Sequence, residues 1–256
     1  MTQTVDLNAD MGEGFGPWPM GEDAALLETI TSANIACGAH AGDWDVMART
    51  MALATERGVG IGAHPGFPDL QGFGRRRMQM PHDSLRNLVA YQVGAARGMA
   101  QRVGGTVRHV KLHGALANMA SEDAAMAQAC YEGALAVDPD VIIMVLAATA
   151  QQEAVQTLGC RWAAEIFADR AYNDDATLVD RRLPGAVIHD PAEAGARMVE
   201  MVQAGAIITA SGAQIPTPID TICLHGDTAE AVGIARATRA ALEAAGITLG
   251  VFPGRR

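Results

Sequence analysis

The chain has 256 residues, of which 49% are hydrophobic, so it can bury one large core or two small ones and is not a disordered protein. Its formal net charge of −10 repels nucleic-acid phosphates and anionic lipid surfaces, and we therefore expect no nucleic-acid and no membrane partner. Aromatic residues make up only 4%, which favours helices packed closely on a sheet over an all-β sandwich.

Short apolar runs, often rich in β-branched residues, alternate with segments of helical spacing from end to end. The predicted strands are, in chain order, Val5–Leu7, Ala33–Ala36, Val59–Ala63, Val107–Leu112, Val141–Leu146, Arg161–Ile166 and Ile219–Leu224. The predicted helices are Asp23–Thr31, Asp43–Arg57, Asp83–Val103, Ser121–Ala136, Gln151–Leu158, Pro191–Ala204 and Thr228–Ala245. After the sixth strand, the polar stretch Asp169–Leu183 interrupts the alternation, and we expect it to form a lid or a partner surface.

This alternation of strand and helix predicts an α/β fold with parallel strands joined by right-handed crossovers. A closed barrel and an open doubly wound sheet both fit the pattern. No linker, low-complexity tract or domain-sized repeat divides the sequence, so we expect a single domain over residues 1–256.

The cysteines and the N-terminus indicate a cytoplasmic protein. Cys37, Cys130, Cys160 and Cys223 lie far apart, without a CxxC pair or a metal-type spacing, which is typical of reduced thiols. The first ten residues, MTQTVDLNAD, lack the basic and apolar regions of a signal peptide. The longest apolar stretch spans about ten residues and is too short to cross a bilayer.

Polar and ionisable residues follow most of the predicted strands, at the ends where parallel α/β folds bind ligands. They are Asn8, Asp10 and Glu13 after the first strand, His40 after the second, His64 after the third, Lys111 and His113 after the fourth, Glu165 and Arg170 after the sixth, and His225 and Asp227 after the seventh. Any one of them alone would be a hydrogen-bonding group, and Asp227 a helix cap. Their convergence predicts an active site.

Arg75 and Arg76 follow the GFG of the loop after the third strand. They either belong to a solvated loop or bind a carboxylate or phosphate through bidentate contacts.

Three common nucleotide and nucleophile motifs are absent. The glycines of MGEGFGPWPMG resemble a dinucleotide loop, but Pro17 and Pro19 interrupt the turn that should open a helix. Lys111 is the only lysine and follows Val110, so the sequence contains no GxxxxGK[ST] loop for ATP. It contains no GxSxG serine elbow either.

The fourth strand places its unusual residues on one face, because side chains alternate along a strand. His109, Lys111 and His113 share that face, while Val110 and Leu112 lie on the other. Burial and a neighbouring cation would lower the pKa of Lys111, whereas a carboxylate such as Asp10 would raise it. The sequence leaves the direction open.

At these residues the chain resembles the LamB/YcsF family, the A-type subunits of ATP-dependent 5-oxoprolinase. The matching stretches are VDLNADMGEGFG, ITSANIACGAHAGD, VGIGAHPGFPDLQGFGRR, VKLHGALAN, EIFADRAY and ICLHGD, in family order from end to end. The resemblance implies a single-domain seven-stranded (β/α) barrel related to the glycoside hydrolase and polysaccharide deacetylase folds. The family motif KPHGALYN is altered here at Leu112 and Ala117, which leaves the exact lactam open.

The resemblance also implies hydrolysis of 5-oxo-L-proline, or a related lactam, to L-glutamate with ATP cleavage. Two partner subunits, of the B and C type, would take part, and ATP would be bound with them or by them. The missing phosphate loop agrees with this expectation.

Three hypotheses follow for the site. In lactam hydrolysis, Lys111 and either Arg75 or Arg76 hold a phosphate or the developing oxyanion, His113 or His64 moves protons, and Asp10 and Glu13 act as base or orienting partners. In a stand-alone metal-dependent amidase or deacetylase-like hydrolase, Asp10, His40 and His64 hold a divalent metal that activates water. A non-enzymatic scaffold is the third, and the density of ionisable residues at one rim argues against it.

Overall fold

Seven parallel strands close into a barrel in the computed structural model, which describes residues 4–224 and 230–256. The barrel strands are β1 (Thr4–Met11), β2 (Ser32–Ala36), β3 (Gly60–His64), β4 (Val107–Lys111), β5 (Ile142–Leu146), β6 (Trp162–Phe167) and β9 (Thr221–Leu224). Each strand pairs with the next, and β9 pairs with both β6 and β1. This closure confirms the barrel over the open sheet, and all seven predicted strands are present with shifted ends.

Helices surround the barrel on its outside. Those in the described ranges are α1 (Asp23–Leu26), α2 (Trp44–Glu56), α3 (His82–Arg102), α4 (Gly114–Glu122), α5 (Ala124–Val137), α6 (Ala150–Leu158), α7 (Pro191–Ala204) and α8 (Ala231–Ala244). Asp190 caps α7 by accepting from the N–H of Glu193, with Pro191 at the first helical position. Across residues 4–224 and 230–256, no helix has both the length and the apolar character that a bilayer crossing requires.

Two predicted helices differ from the structure. The predicted helix Ser121–Ala136 corresponds to α5, and α4 before it was not predicted. Asp123 ends α4 and caps α5 by accepting from the N–H groups of Ala125 and Met126 at 2.9 and 3.1 Å. The first predicted helix, Asp23–Thr31, is helical only to Leu26. The predicted start of the last helix, Thr228, lies outside the described residues.

The barrel strands bury both of their faces, and the two faces differ in chemistry. Alternate residues of β1, beginning with Val5, pack against the helices, whereas Asp6, Asn8 and Asp10 hydrogen-bond across the interior. On β4, Val110 lies in the outer core while His109 and Lys111 bond inside, which confirms the predicted alternation. The four cysteines are free, as expected.

The opposite end of the barrel, where the strands begin, is closed by apolar side chains and by the C-terminal segment. Phe252 packs with Ile142, Met144 and Ala163 inside the barrel, edge-on to the His109 ring at 5.4 Å. Ligands therefore enter from the carboxyl ends of the strands.

The polar stretch after β6 forms an irregular segment, which we call the β6–α7 segment (168–190). It is tied to a short hairpin of β7 (Ala206–Ile208) and β8 (Gln214–Pro216), which the sequence did not predict. Asp174 accepts from the hydroxyls of Thr209 and Ser211, both at 2.7 Å. A further short strand, β10 (Thr248–Leu249), pairs with the start of β1.

Gly133 on α5 touches the backbone of α3, where a Cβ atom would lie 2.3 Å from the carbonyl oxygen of Arg86. We expect Gly133→Ala to lower the free energy of unfolding by about 1–3 kcal/mol, because the two helices must separate to admit a methyl group. Gly98, on the exposed face of α3 with open space around it, is the matched control. Gly98→Ala is expected to raise that free energy by about 0.5–1 kcal/mol, and urea denaturation measures both. Equal effects of the two substitutions would contradict the close packing.

Candidate active site

A cavity of 730 Å³ opens at the carboxyl ends of the barrel strands. Asp10, His64, Lys111 and His113 line its floor, and the β6–α7 segment, from Arg170 onward, lines one wall. Parallel barrels bind their ligands at this end, because the loops after every strand meet there. The structure thus gathers residues that are a hundred positions apart in the sequence.

Lys111 is buried among negative and polar groups. Its Nζ atom lies 2.9 Å from Oδ1 of Asp10, 2.8 Å from Oε1 of Glu165 and 2.9 Å from Sγ of Cys223. Burial alone would lower the pKa of Lys111, but Asp10, Cys223 and Glu165 outweigh it and raise that pKa well above its ordinary value. Lys111 is therefore a permanent cation, which settles the direction that the sequence left open.

Three carboxyl groups are buried near the floor of the cavity: Asp10 at 6% exposure, Glu13 at 6% and Glu165 at 2%. Burial raises the pKa of Glu165, and the neighbouring Lys111 offsets part of that shift. Ionised carboxylates without counter-charges are costly inside a protein. When all three are ionised, the floor carries more negative charge than Lys111 can balance.

The two histidines that follow β3 and β4 have fixed ring orientations. Nδ1 of His64 lies 2.8 Å from the carbonyl oxygen of Lys111, and Nε2 of His113 lies 2.8 Å from that of Phe73. A carbonyl oxygen only accepts, so each of these nitrogens donates its proton. In their neutral forms, Nε2 of His64 and Nδ1 of His113 then face each other with lone pairs, 3.1 Å apart. Such a contact is favourable only with a proton or a cation between them.

His40 completes a cluster of three imidazoles. Its ring stacks on that of His113, with 3.7 Å between centroids and 5° between planes. Neither ring nitrogen of His40 has a hydrogen-bond partner among the described residues. Burial, followed by the neighbouring His113 and His64, lowers the pKa of His40 well below its ordinary value, and burial does the same for His113. The rings of His40 and His113 are therefore neutral and available as ligands.

Glu13 joins the three histidines in one buried group. One donor atom from each of Glu13, His40, His64 and His113 lies within 4.8 Å of the others. Imidazole nitrogens and a carboxylate oxygen suit zinc and other divalent transition metals. The group shares His40 and His64 with the predicted metal set. Asp10 is not one of its members, although Oδ2 of Asp10 lies 3.4 Å from Nε2 of His64.

The predicted arginines occupy different positions. Arg75 lines the cavity, with its guanidinium 4.8 Å from the centre of the Phe73 ring. Arg76 does not line it and instead pairs with Asp69 outside. Arg170 is buried and donates to the carbonyl oxygens of Val179 and Ala186, so it also holds the β6–α7 segment. Burial lowers the pKa of Arg170 to about 10, which leaves it cationic.

Some predicted residues lie below or outside the described site. Asn8 sits beneath Lys111, where its amide donates to the hydroxyl of Thr221 at 2.7 Å. His225 and Asp227 fall outside the described residues. Ala117, one of the two departures from the family motif, lines the cavity. Leu112, the other, belongs to the buried core with Val110, as its predicted face requires, and also borders the cavity.

Sequence reasoning missed Cys223 and Asn34. Cys223 bonds Lys111, and Asn34 donates to Asp10 at 2.9 Å. The alternation of side chains was the available signal: Asn34 stands between Ala33 and Ile35 on β2, and Cys223 between Ile222 and Leu224 on β9, with the apolar neighbours in the outer core.

Comparisons with known proteins show what the chain resembles. The LamB/YcsF family profile matches residues 5–255. The A-type subunit of 5-oxoprolinase from Ruegeria pomeroyi is 72% identical over 248 residues, covering 97% of this chain and 98% of that protein. The crystal structure of the lactam utilization protein from Thermus thermophilus superimposes with a TM-score of 0.91 at 39% identity, over 98% of this chain and 100% of that one.

A more distant structure supports the fold alone. The catalytic domain of a peptidoglycan N-acetylglucosamine deacetylase from Eubacterium rectale matches with a TM-score of 0.52 at 10% identity. It covers 98% of this chain and 89% of that domain. The expected deacetylase-like barrel is thereby confirmed.

Lys111→Met removes the ammonium group between Asp10 and Glu165 and keeps most of its volume. We expect the free energy of unfolding to fall by about 3–5 kcal/mol near neutral pH, because the carboxylates stay buried without their counter-charge. Their pKa values rise in the folded variant, so protonation stabilises it as the pH falls and the deficit shrinks. Thermal denaturation of metal-free wild type and variant, at a series of pH values from neutral downward, measures how this deficit changes.

The control for this experiment is Arg77→Met. Arg77 pairs with Glu122, and both side chains are about half exposed, at 57% and 47%. Removing such a pair is expected to change the free energy of unfolding by about 0–1 kcal/mol. A Lys111→Met deficit that does not vary with pH would contradict the buried ion pairing.

Proposed function

The chain belongs to the LamB/YcsF family, and from this premise we propose that it is the ring-opening subunit of a cytoplasmic 5-oxoprolinase, as the names of its relatives suggest. Its substrate would be 5-oxo-L-proline or a related lactam, and its product L-glutamate. The observation that carries the proposal is the buried, permanently charged Lys111 on the floor of the cavity, beside Asp10 and the histidine cluster.

The floor of the cavity supplies the groups that amide hydrolysis needs. Water adds to the ring carbonyl carbon, the bond from that carbon to the ring nitrogen breaks, and the nitrogen takes up a proton. The carbonyl oxygen, or the phosphoryl group transferred to it, carries negative charge during the addition, and the ammonium of Lys111 stabilises that charge in a water-poor site. Asp10, whose carboxylate adjoins Lys111, accepts the proton of the attacking water. Without a bound metal, protonation of the leaving nitrogen falls to His64 or His113; with the metal proposed below, Asp10 passes on the proton that it took from water.

ATP cleavage is assigned to the complex with partner subunits of the B and C type. An unstrained five-membered lactam is a poor electrophile, and transfer of the γ-phosphoryl group of ATP to its amide oxygen activates the ring carbon. Addition of water and cleavage of the C–N bond then leave an acyl phosphate, from which a second water releases L-glutamate and phosphate. The chain contains no phosphate loop, so the nucleotide is bound with or by the partners. Arg75, which lines the cavity, is placed to bind the anionic part of the substrate, whereas Arg76 is engaged outside with Asp69.

We also propose a divalent metal ion held by Glu13, His40, His64 and His113. The facing lone pairs of His64 and His113, the unpartnered nitrogens of His40 and the excess of buried carboxyl groups all fit a cation there. The hydrogen bonds from His64 and His113 to backbone carbonyls are the outer contacts that orient metal-binding imidazoles. A bound ion supplies a Lewis acid for activating water or the carbonyl group.

The same histidine group favours a second candidate, a stand-alone metal-dependent amidase or deacetylase-like hydrolase. The two functions differ in their requirements: the first needs ATP and partner subunits, and the second needs only the metal.

To separate the candidates, the chain is mixed with the B-type and C-type subunits of the same source, and glutamate and ADP are measured. We expect both products to depend on 5-oxoproline and on all three subunits. Lys111→Met, checked for folding by circular dichroism, should reduce turnover by at least about 100-fold, because the oxyanion loses its principal donor. Turnover near that of the wild type would rule out the role of Lys111. Amide hydrolysis by this chain alone, without ATP, would favour the second candidate.

The metal is tested by elemental analysis of protein purified without chelators. We expect about one divalent ion per chain, and a small fraction of that in His64→Ala, because each ligand contributes to the affinity. His82→Ala is the control, since His82 is an exposed residue at the start of α3. Equal metal content in the two variants would contradict the assignment.

A further inference from the structure

Beneath Asp10, a hydrogen-bonded network fills the barrel interior without reaching the cavity. Asn34 of β2 is its centre, and this residue is fully buried. Its Nδ2 atom lies 2.9 Å from Oδ1 of Asp10 and 2.7 Å from Oδ1 of Asn8, while its Oδ1 atom lies 2.7 Å from Nε2 of His109. Three barrel strands, β1, β2 and β4, meet in these contacts.

The direction of each bond follows from its partners. A carboxylate only accepts, so the Asn34 atom that faces Asp10 is the amide nitrogen. Its carbonyl oxygen then faces His109, and Nε2 of His109 must be the donor. Burial lowers the pKa of His109 to about 3, so the ring is neutral and carries one proton. Nδ1 of His109 has no partner among the described residues, which agrees with the proton being on Nε2.

The His109 ring fits in the barrel because residue 62 is a glycine. A Cβ atom at Gly62 of β3 would lie 2.0 Å from Nε2 of His109 and overlap the edge of the ring. The ring also packs edge-on against Phe252 at 5.4 Å between centroids. Its donor is thereby held towards Asn34.

Asp10 receives two donors on the same oxygen. The amide of Asn34 and the ammonium of Lys111 both lie 2.9 Å from Oδ1, which leaves Oδ2 directed towards His64. The amide of Asn34 comes from β2 and the ammonium of Lys111 from β4, so the two donors approach this oxygen from different strands. Two donors on one oxygen restrict the plane of the carboxylate more than one donor does.

We propose that Asn34 is a positioning residue that fixes the plane of the Asp10 carboxylate, and that His109 sets the direction of the Asn34 amide. The inference rests on the proposed function in one respect, the assignment of Asp10 as the group that takes the proton of water. Asn34 itself does not touch the substrate cavity.

Asn34→Asp tests the donor at this position with almost no change in shape. The titratable groups in contact with the new carboxyl are Asp10 and His109, and Lys111 lies beyond, on the same oxygen of Asp10. Two ionised carboxylates repel each other, so one of the pair binds a proton with a raised pKa. At alkaline pH we expect kcat to fall about 10–100-fold with a smaller change in KM, as for other outer-shell partners. As the pH falls, the protonated carboxyl can donate to Asp10, and the deficit should narrow.

His109 offers a matched pair of variants. Gln at position 109 can place an amide donor near the position of Nε2, whereas Leu has none. We expect His109→Gln to retain most of the turnover and His109→Leu to lose about 10-fold or more. Ser32→Ala is the control, because Ser32 is a buried residue of the same strand whose hydroxyl donates to Asp6 at 2.7 Å, away from Asp10. Its kcat and its pH profile should match those of the wild type.

The inference is overturned if Asn34→Asp loses the same factor at every pH, or if His109→Gln is no better than His109→Leu. Absence of 5-oxoproline turnover in the wild type would instead overturn the proposed function. The positioning role is then read from crystal structures of the two His109 variants. An Asp10 carboxylate that turns in the Leu variant and stays in the Gln variant supports the inference, and one that stays in both contradicts it.

Discussion

A single buried ammonium group, that of Lys111, determines how the interior of this barrel is built. A charge removed from water must be met by well-placed opposite charges and hydrogen-bond acceptors, or the fold loses several kcal/mol. The groups that meet it come from β1, β6 and β9, none of which adjoins β4 in the sheet. Only a closed barrel brings these strands around one point, so the requirement of the lysine and the closure of the sheet support each other.

The closed interior also explains why the polar residues divide into two levels. The upper level, at the carboxyl ends of the strands, holds Lys111, Asp10 and the histidine cluster and opens to the cavity. The lower level ends on Asp6, which accepts from the hydroxyls of Thr31, Ser32 and Thr221. Burial raises the pKa of Asp6 to about 6, although its three donors stabilise the charge. The carboxylates of Asp6 and Asp10 thus accept hydrogen bonds at the two ends of the network. The side-chain amides of Asn8 and Asn34 between them have little freedom to reverse their orientation.

The periodic spacing of apolar residues predicted much of the fold and part of the site. Apolar runs of strand length gave seven strands in the right places, and alternation along β4 predicted that His109 and Lys111 face inward. Asp10 was anticipated as a neighbour of Lys111, but Glu165 and Cys223 were not, because the sequence does not contain the register that sets Glu165 opposite Thr221. Helix α4 was missed since it begins directly at Gly114, with a positive φ of 52° and no side-chain cap. The tautomers of His64 and His113 depend on backbone carbonyls, which no residue pattern encodes.

The cavity is made of two parts that are held in place by different contacts. Its floor belongs to strands whose inward polar side chains hydrogen-bond to one another, so a change at a member that contacts Asp10 or Lys111 alters the balance of buried charge. Its wall, the β6–α7 segment, is a stretch of loop tied down by its own local bonds, such as those of Arg170 to Val179 and of Asp174 to Thr209. Variation in the wall can therefore reshape the space offered to a ligand while leaving the floor untouched. In an evolving family, diversity of substrate would accumulate in that loop, and the chemistry would stay with the strands.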